Sequence, residues 1–186
     1  MVRDPRFLIG NLELQKSYLS AERGACIENL ERLPGLLREA VAGLSDSQLE
    51  ESYRTGGWTI RQVVHHLVDS QLNEYVRMKL ALTEAEPTIM PWNETAWAEY
   101  SDSSLPIEPA LQLLEALHTR WSFLLWSLEV AEWECGFVHP AYGRTTLEAA
   151  LVIAEWHARH HLAHITIWRA SETRSSADAR TSSVAP

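Results

Sequence analysis

Trp156-His157-Ala158-Arg159-His160-His161-Leu162-Ala163-His164 places four of the eight histidines of this chain within eight residues. In a helix, the pairs His157/His161 and His160/His164 are each separated by one turn, so both imidazoles of a pair project from one face. Two imidazoles at this spacing can share one metal ion, as in zinc motifs of the H-E-x-x-H type. The stretch therefore predicts a helix that supplies two ligands and needs a facing helix to complete a metal site.

His65-His66, in a second apolar helical pattern, is the obvious donor of the third ligand. A capping box of Thr59 and Gln62 marks the start of that helix. Glu86-Pro87 marks its end, because the residue before a proline avoids helical geometry, so we expect the helix to run from residue 60 to about residue 82. Spacing alone leaves the choice of histidines open, since the two pairs of the last helix point about 60° to 100° apart around its axis.

The rest of the chain predicts an all-α four-helix bundle. One apolar helical pattern covers residues 19–44, where Pro34 predicts a kink or break near Leu33. Others run over residues 109–128 and 146–168. A long, ordered, aromatic connection with one short helix is expected over residues 87–107, between the second and third helices, and a turn with a small β-hairpin over residues 132–146. Bundles build metal sites from inward side chains on facing helices.

Composition predicts one cytoplasmic domain. Residues 1–170 are expected to form the bundle, with residues 1–17 extended, and the Ser-, Thr-, Ala- and Arg-rich residues 171–186 a disordered tail. The net charge of −9 argues against nucleic acid or an anionic membrane as a partner. There is no apolar signal region at the start of the chain and no run of the roughly 18 apolar residues that spans a bilayer. The two cysteines lie far apart in the sequence, and we expect both to be reduced thiols.

The second helix also carries a polar stripe. His66, Asp69, Asn73 and Arg77 lie at spacings of 3, 7 and 11 residues, which places them along one side of the helix. A buried stripe is normally apolar. This stripe therefore predicts either a polar cavity inside the bundle or simply the solvated face of the helix.

Several long motifs resemble the YfiT-like proteins of the DinB superfamily, over about residues 8–168. They are Trp58-Thr-Ile-Arg-Gln-Val-Val-His-His-Leu-Val-Asp-Ser70, Asn73-x-Tyr75-x-Arg77, Leu117-His118-x-Arg120-Trp121, Gly136-Phe137-x-His139-Pro140 and Trp156-His157-x-x-His160-His161-x-x-His164. The resemblance implies a four-helix fold, a homodimer and one divalent ion, with Zn or Ni favoured. It implies His66, His160 and His164 as ligands, with His157 and His161 in supporting positions.

Three histidine ligands leave a coordination position open, which is typical of a catalytic metal. The charge of the ion would lower the pKa of a bound water molecule or thiol. The resemblance favours transfer of a low-molecular-weight thiol of the bacillithiol type to electrophiles. In that interpretation Arg77, with Asn73 and Arg61, would bind the carboxylates of the thiol. Trp92, with Trp97 and Tyr75, would line the electrophile pocket.

Two alternatives remain open from the sequence. A metal-dependent hydrolase would use the same site to activate water and would need a general base, for which Asp69 is the candidate. A noncatalytic protein would use the metal to stabilise the bundle and bind a small molecule or a partner.

Overall fold

The computed structural model describes residues 8–182, with side chains up to residue 173. Its long helices are α1 (Ser20–Val41), α3 (Ile60–Thr83), α5 (Glu108–Ser127) and α6 (Leu147–Ser182), and the short ones are α2 (Asp46–Leu49) and α4 (Glu94–Ala98). Helix α1 packs against α5 and α6, and α3 packs against the same two helices, so α1 and α3 lie diagonally across the bundle. The predicted four-helix bundle is confirmed, and α3 and α6, which carry the histidines, are neighbours.

Two capping boxes position the first half of the bundle. The Thr59 hydroxyl accepts the Gln62 backbone N–H at 3.1 Å, and the Gln62 side chain accepts the Thr59 backbone N–H at 3.0 Å. Ser45 and Gln48 form the same pair at the start of α2. Each box satisfies backbone donors that the first helical turn leaves without partners. The predicted start of α3 is therefore confirmed, and with it the position of His66 on the helix.

The predicted hairpin and the ordered connection lie together beside α3. Strands β1 (Gly136–His139) and β2 (Gly143–Thr146) pair antiparallel, with Gly136 opposite Thr146. A Cβ at residue 136 would come within 2.5 Å of the Thr145 carbonyl oxygen, so this position needs glycine. The connection is held to the hairpin because Ile89 donates its backbone N–H to the Val138 carbonyl at 3.0 Å. Connection and hairpin thus form one wall beside α3.

Of the predicted kink or break near Leu33, the break is wrong, since α1 continues through Pro34, and the kink stays a prediction. Proline has no backbone N–H, so it deprives the Leu30 carbonyl of its helical partner. His118 of α5 supplies the missing donor, with its Nδ1 at 2.6 Å from the Leu30 oxygen. The His118 side chain is buried, and burial lowers its pKa to about 4. A neutral histidine from the neighbouring helix therefore replaces the lost helical hydrogen bond.

The last helix is longer than predicted, because α6 continues to Ser182 instead of ending near residue 168. The predicted disordered tail is therefore helical over residues 171–182, and residues 183–186 lie outside the described residues. No proline or glycine occurs between residues 147 and 182, so nothing in the backbone stops the helix there. Residues 8–19 form no helix before Ser20, and residues 1–7 lie outside the described residues.

The interior holds a continuous apolar core. Its largest fully buried side chains include Trp121, Ile27, Leu30, Leu33, Leu37, Ile60, Leu67, Met78, Leu114, Leu125, Leu147 and Leu151. Both cysteines, Cys26 and Cys135, are free and half-buried. Across the described residues, no helix combines the length and the apolarity that crossing a membrane requires.

Candidate metal centre

Three histidines converge where α3 faces α6. His66 of α3 and His157 and His161 of α6 each offer one ring nitrogen, and these nitrogens all lie within 4.8 Å of one another. The closest pair is His66 Nε2 and His157 Nε2, 3.3 Å apart. The ring of His161 lies 4.6 Å from that of His66 and 4.5 Å from that of His157, between centroids. The packing of α3 on α6 thus brings His66 together with two histidines that lie at least 91 positions further along the chain.

Only one member of the predicted ligand set belongs to this group. His66 does, whereas His160 and His164 lie outside it. His157 and His161 take the two places that the resemblance implied for His160 and His164. The ring of His160 stacks on Trp156 at 4.8 Å, and the ring of His164 stacks on Tyr53 at 4.0 Å. The two pairs point in different directions around α6. The pair 157/161 is the one that joins His66 in a three-nitrogen group among the described residues.

The three imidazoles are in the protonation state that binds metals. Burial lowers the pKa of His66 to about 3 and that of His157 to about 4, and the pKa of His161 lies well below its usual value for the same reason. All three rings are therefore neutral at pH 7, and neutral imidazole is the ligating form. Their mutual proximity lowers these pKa values further, because each protonated ring would repel the others.

An orphaned polar atom on two of the rings supports the same assignment. His66 Nδ1 and His161 Nδ1 are buried without a hydrogen-bond partner among the described residues. Buried polar atoms without partners cost free energy. A divalent ion bound to either of these Nδ1 atoms would offset the cost at that ring. Imidazole nitrogens are common ligands of divalent ions, so the residues present fit a metal.

Indole rings enclose the group. Trp58, just before the cap of α3, lies 4.5 Å from His66 and stacks 6.1 Å from His161, between ring centroids. Trp92 of the long connection stacks on the ring of His66 at 5.8 Å between centroids, and Trp97 packs on Trp92 at 4.7 Å. These rings limit the rotation of the imidazoles and exclude water from them. Trp92 thus lies at the site, and its role in substrate binding stays a prediction.

Ser70 is a site residue that the sequence reasoning missed. Its hydroxyl lies one turn after His66 on α3 and 3.3 Å from His157 Nδ1. When His157 Nδ1 carries the proton and donates it to the Ser70 hydroxyl, Nε2, the atom that faces His66, keeps its lone pair available. The spacing of four residues from His66 was the signal that could have identified it.

Replacing Ser70 with alanine is expected to weaken metal binding about tenfold, because groups that orient a ligating histidine contribute about 10- to 100-fold to metal affinity. Titration of the metal-free protein with Zn²⁺ or Ni²⁺ against a competing chelator measures this change. Ser122→Ala is the matched control, since Ser122 is a buried helical serine outside the group. Ser70→Thr, which keeps the hydroxyl, should restore affinity. An unchanged Kd in Ser70→Ala would remove Ser70 from the site.

A cavity of about 660 Å³ opens beside His157. Helix α3, the long connection, the hairpin and the first turns of α6 surround it. Its lining residues are Leu14, Ser70, Glu74, Arg77, Pro91, Trp92, Glu94, Phe137, His139, Ala141, Tyr142, Arg144, Thr145, Ala149, Ile153, Ala154 and His157. This volume lies within the range of about 300–1,000 Å³ that is typical of small-molecule sites.

Of the four residues of the predicted polar stripe, Arg77 alone is among those that line this cavity. Arg77 lines it, but its guanidinium is bonded to the Glu74 carboxylate. Asp69 and Asn73 are not among the lining residues, and Asn73 donates instead to the Asp69 backbone carbonyl at 2.8 Å. Burial and the nearby Asp102 raise the pKa of Asp69 to about 6. Asp69 thus lies near Asp102 and does not line the cavity.

Two other predicted substrate-binding residues lie elsewhere. Tyr75 packs edge-to-face on Trp121 at 6.3 Å and carries the Lys79 ammonium over its ring. Arg61 is buried and forms ion pairs with Glu50 at 2.5 Å and Asp46 at 3.1 Å. Both residues therefore stabilise the bundle, away from the cavity beside His157.

Comparison with known proteins places the chain and its fold in one family. A family model described as the DinB superfamily matches residues 29–165. The chain belongs to the DinB superfamily. A relative from Bacillus cereus (strain 03BB102), named "Putative metal-dependent hydrolase", is 48% identical over 168 residues, which cover 90% of this chain and 97% of the relative. A relative with the same name from Bacillus anthracis (strain A0248) shows the same identity and coverage.

A solved structure shares the architecture. It is described as "YfiT from Bacillus subtilis is a probable metal-dependent hydrolase with an unusual four-helix bundle topology". It is 43% identical to this DinB-superfamily chain, with a TM-score of 0.88 over 91% of this chain and 98% of that one. The diagonal placement of α1 and α3 described above is a topology in which these two successive long helices do not pack side by side.

Proposed function

We propose that this DinB-superfamily protein is a metal-dependent enzyme in which His66, His157 and His161 hold one divalent ion. The observation that carries the proposal is the convergence of three neutral imidazoles, two of them buried and the third, His157, lining a cavity. Three protein ligands leave a coordination position for a reactant, as catalytic sites do. Imidazole ligands suit Zn or Ni, the two ions we favour.

When bound, the ion supplies Lewis acidity, which lowers the pKa of a water molecule or a thiol and provides a nucleophile at neutral pH. The protein supplies the geometry. Ser70 orients His157, and Trp58 and Trp92 shield His66 from solvent. The cavity beside His157 holds the small molecule that is attacked.

Hydrolysis is the reaction we propose first, and the names of the relatives support it. Asp69 is not among the lining residues, which argues against it as the general base. Glu94 lines the cavity and remains the candidate for this role, since the other acid that lines it, Glu74, is bonded to Arg77.

Thiol S-transfer is the second candidate. It is favoured because Glu74 is bonded to Arg77 and is therefore not available as a general base. A thiol whose pKa is lowered at the metal is already an effective nucleophile and needs no general base. Recognition of its carboxylates by Arg77 would require the Arg77–Glu74 pair to open. The predicted bacillithiol-type thiol and the electrophile stay part of this second proposal.

One assay separates the two reactions. The protein loaded with Zn or Ni is given 4-nitrophenyl esters, and separately monochlorobimane with bacillithiol, glutathione or mycothiol. Metal-dependent ester cleavage supports the hydrolase, and metal-dependent conjugation of one thiol supports the transferase. Either activity should be lost in His157→Ala and kept in His164→Ala. Full metal occupancy with neither activity would favour the noncatalytic binding protein.

We further propose a cytoplasmic homodimer. The exposed apolar side chains of Phe123 and Trp126 on α5 support self-association, since they are 80% and 50% exposed in the single chain. Light scattering coupled to size-exclusion chromatography measures the mass, and a mass of a single chain would contradict the dimer.

A further inference from the structure

The wall of the cavity beside His157 is dominated by apolar side chains. Trp92 and Pro91 come from the long connection, Phe137 and Tyr142 from the hairpin and its turn, and Ile153 from α6. These elements surround the cavity on different sides, so a ligand inside would meet apolar surface in most directions. Small-molecule sites bury most of the ligand surface against such walls and use few polar groups for orientation.

Both arginines of the cavity are already engaged in ion pairs. Arg77 is bonded to Glu74, and the two side chains are only 12% and 13% exposed. Arg144 pairs with Glu86 at 2.5 Å and donates to the Glu134 carbonyl at 2.8 Å. A charged substrate would therefore have to break an existing pair to find a partner, at a cost in free energy.

The remaining polar groups of the wall add little net charge. His139 accepts the Ala141 backbone N–H on Nδ1 at 3.1 Å, so its ring is in the neutral tautomer that carries the proton on Nε2. Glu94 lies at the exposed rim and is attracted by Arg77. The lining acids and arginines are two of each, and since both arginines are in ion pairs, the cavity presents no unengaged arginine to an anion.

We infer that this cavity selects an uncharged substrate with an alkyl or aromatic body, whose reacting group is presented to His157. The inference rests on the proposed function only for the role of His157. The apolar body would fill the space between Trp92, Phe137 and Ile153. A free carboxylate or phosphate on that body would be rejected, because it would enter an apolar space in which both arginines are already engaged.

A pair of fluorescent probes tests the inference without requiring turnover. N-phenyl-1-naphthylamine is neutral, and 1-anilinonaphthalene-8-sulfonate carries the same rings with an added sulfonate. The metal-loaded protein should bind the neutral probe at least tenfold more tightly than the anionic one. Equal or tighter binding of the anionic probe would overturn the inference, since it would show an available cation in the cavity.

Two variants place the probe in the cavity. Ala149→Phe fills it from α6, two turns before His157, and Ala149→Ser is the matched control that keeps its volume. Ala141→Trp fills it from the exposed turn of the hairpin, where a large side chain does not disturb the core. Both filling variants should lose binding of the neutral probe at least tenfold while retaining one metal ion per chain. Unchanged probe binding in both would overturn the inference.

A substrate series separates this inference from the proposed function. If the enzyme cleaves esters, kcat/KM should rise about fourfold per methylene from 4-nitrophenyl acetate to butyrate and hexanoate, the factor expected for burying each CH₂ group. The hemisuccinate, which carries a carboxylate, should be at least tenfold poorer than the butyrate. Metal-dependent cleavage without these preferences would retain the function and overturn the inference. Selective neutral-probe binding without any turnover would support the inference and contradict the function.

Discussion

Replacing His157 or His161 with alanine is expected to abolish metal binding, whereas replacing His160 or His164 leaves it intact. Each of the first two removes one of three nitrogens that lie within 4.8 Å of one another. The loss should exceed the roughly 100-fold upper range for groups that only orient a ligand. His160 and His164 occupy the same helix and are also buried, and their rings stack on Trp156 and Tyr53.

The measurement is metal content per chain after loading and dialysis, together with Kd from chelator competition. Circular dichroism checks that each variant remains helical. His160→Ala and His164→Ala are the matched controls, because they delete the same ring from the next positions of α6. If His164→Ala lost the metal while His161→Ala kept it, the ligand set implied by the family resemblance would be correct and the one proposed from the geometry would be wrong.

Replacing His118 with leucine is expected to destabilise the protein by about 2–4 kcal/mol, although the site lies between α1 and α5 and not at the metal centre. The change leaves the buried Leu30 carbonyl without a donor, because Pro34 cannot supply one. In a Pro34→Ala background, the restored backbone N–H of residue 34 can bond to Leu30. The cost of His118→Leu should then fall by at least about 1 kcal/mol.

Urea unfolding of the four proteins in this double-mutant cycle measures the coupling. Equal costs of His118→Leu in both backgrounds would show that His118 does not replace the missing hydrogen bond. His118→Asn is the conservative control, since its amide can donate from nearly the position of Nδ1. It should recover part of the lost stability in the Pro34 background.

The same histidine makes stability depend on pH. Its pKa is about 4 in the folded protein against the ordinary 6.5, so the unfolded chain binds the proton more readily. The contribution of the neutral ring is therefore fully present above pH 6.5 and is lost as the pH falls toward 4. At 1.36 kcal/mol per pH unit the loss is on the order of 3 kcal/mol. The stability difference between the wild type and His118→Asn should change by this amount across that range, whereas a constant difference would contradict the assignment.

Local sequence signals predicted the elements of the fold because they act within a few residues. The capping box of Thr59 and Gln62 satisfies its own helix end, and it fixes where α3 begins. The helical spacing of the apolar side chains around His66 and His157 requires that both helices bury one face, so a bundle follows. The histidine-rich segment indicated a metal site for the same reason, since a turn of helix places two imidazoles together whatever surrounds them.

The choices that depend on a second helix could be made only by the tertiary structure. Both pairs of α6 have identical spacing, and the packing of α3 decides that His157 and His161 face His66. Which side of α3 faces the cavity is likewise set by the hairpin and the long connection. This is why Ser70 lines the cavity beside His157 and Asp69 does not.

Pro34 shows the same limit for a single residue. Its sequence context predicts a lost hydrogen bond, and that much is correct. Whether the helix breaks depends on a donor 88 positions away in the chain, His118, which the sequence does not place. Backbone and spacing rules describe what a segment needs, but a partner distant in sequence supplies it only once the helices pack.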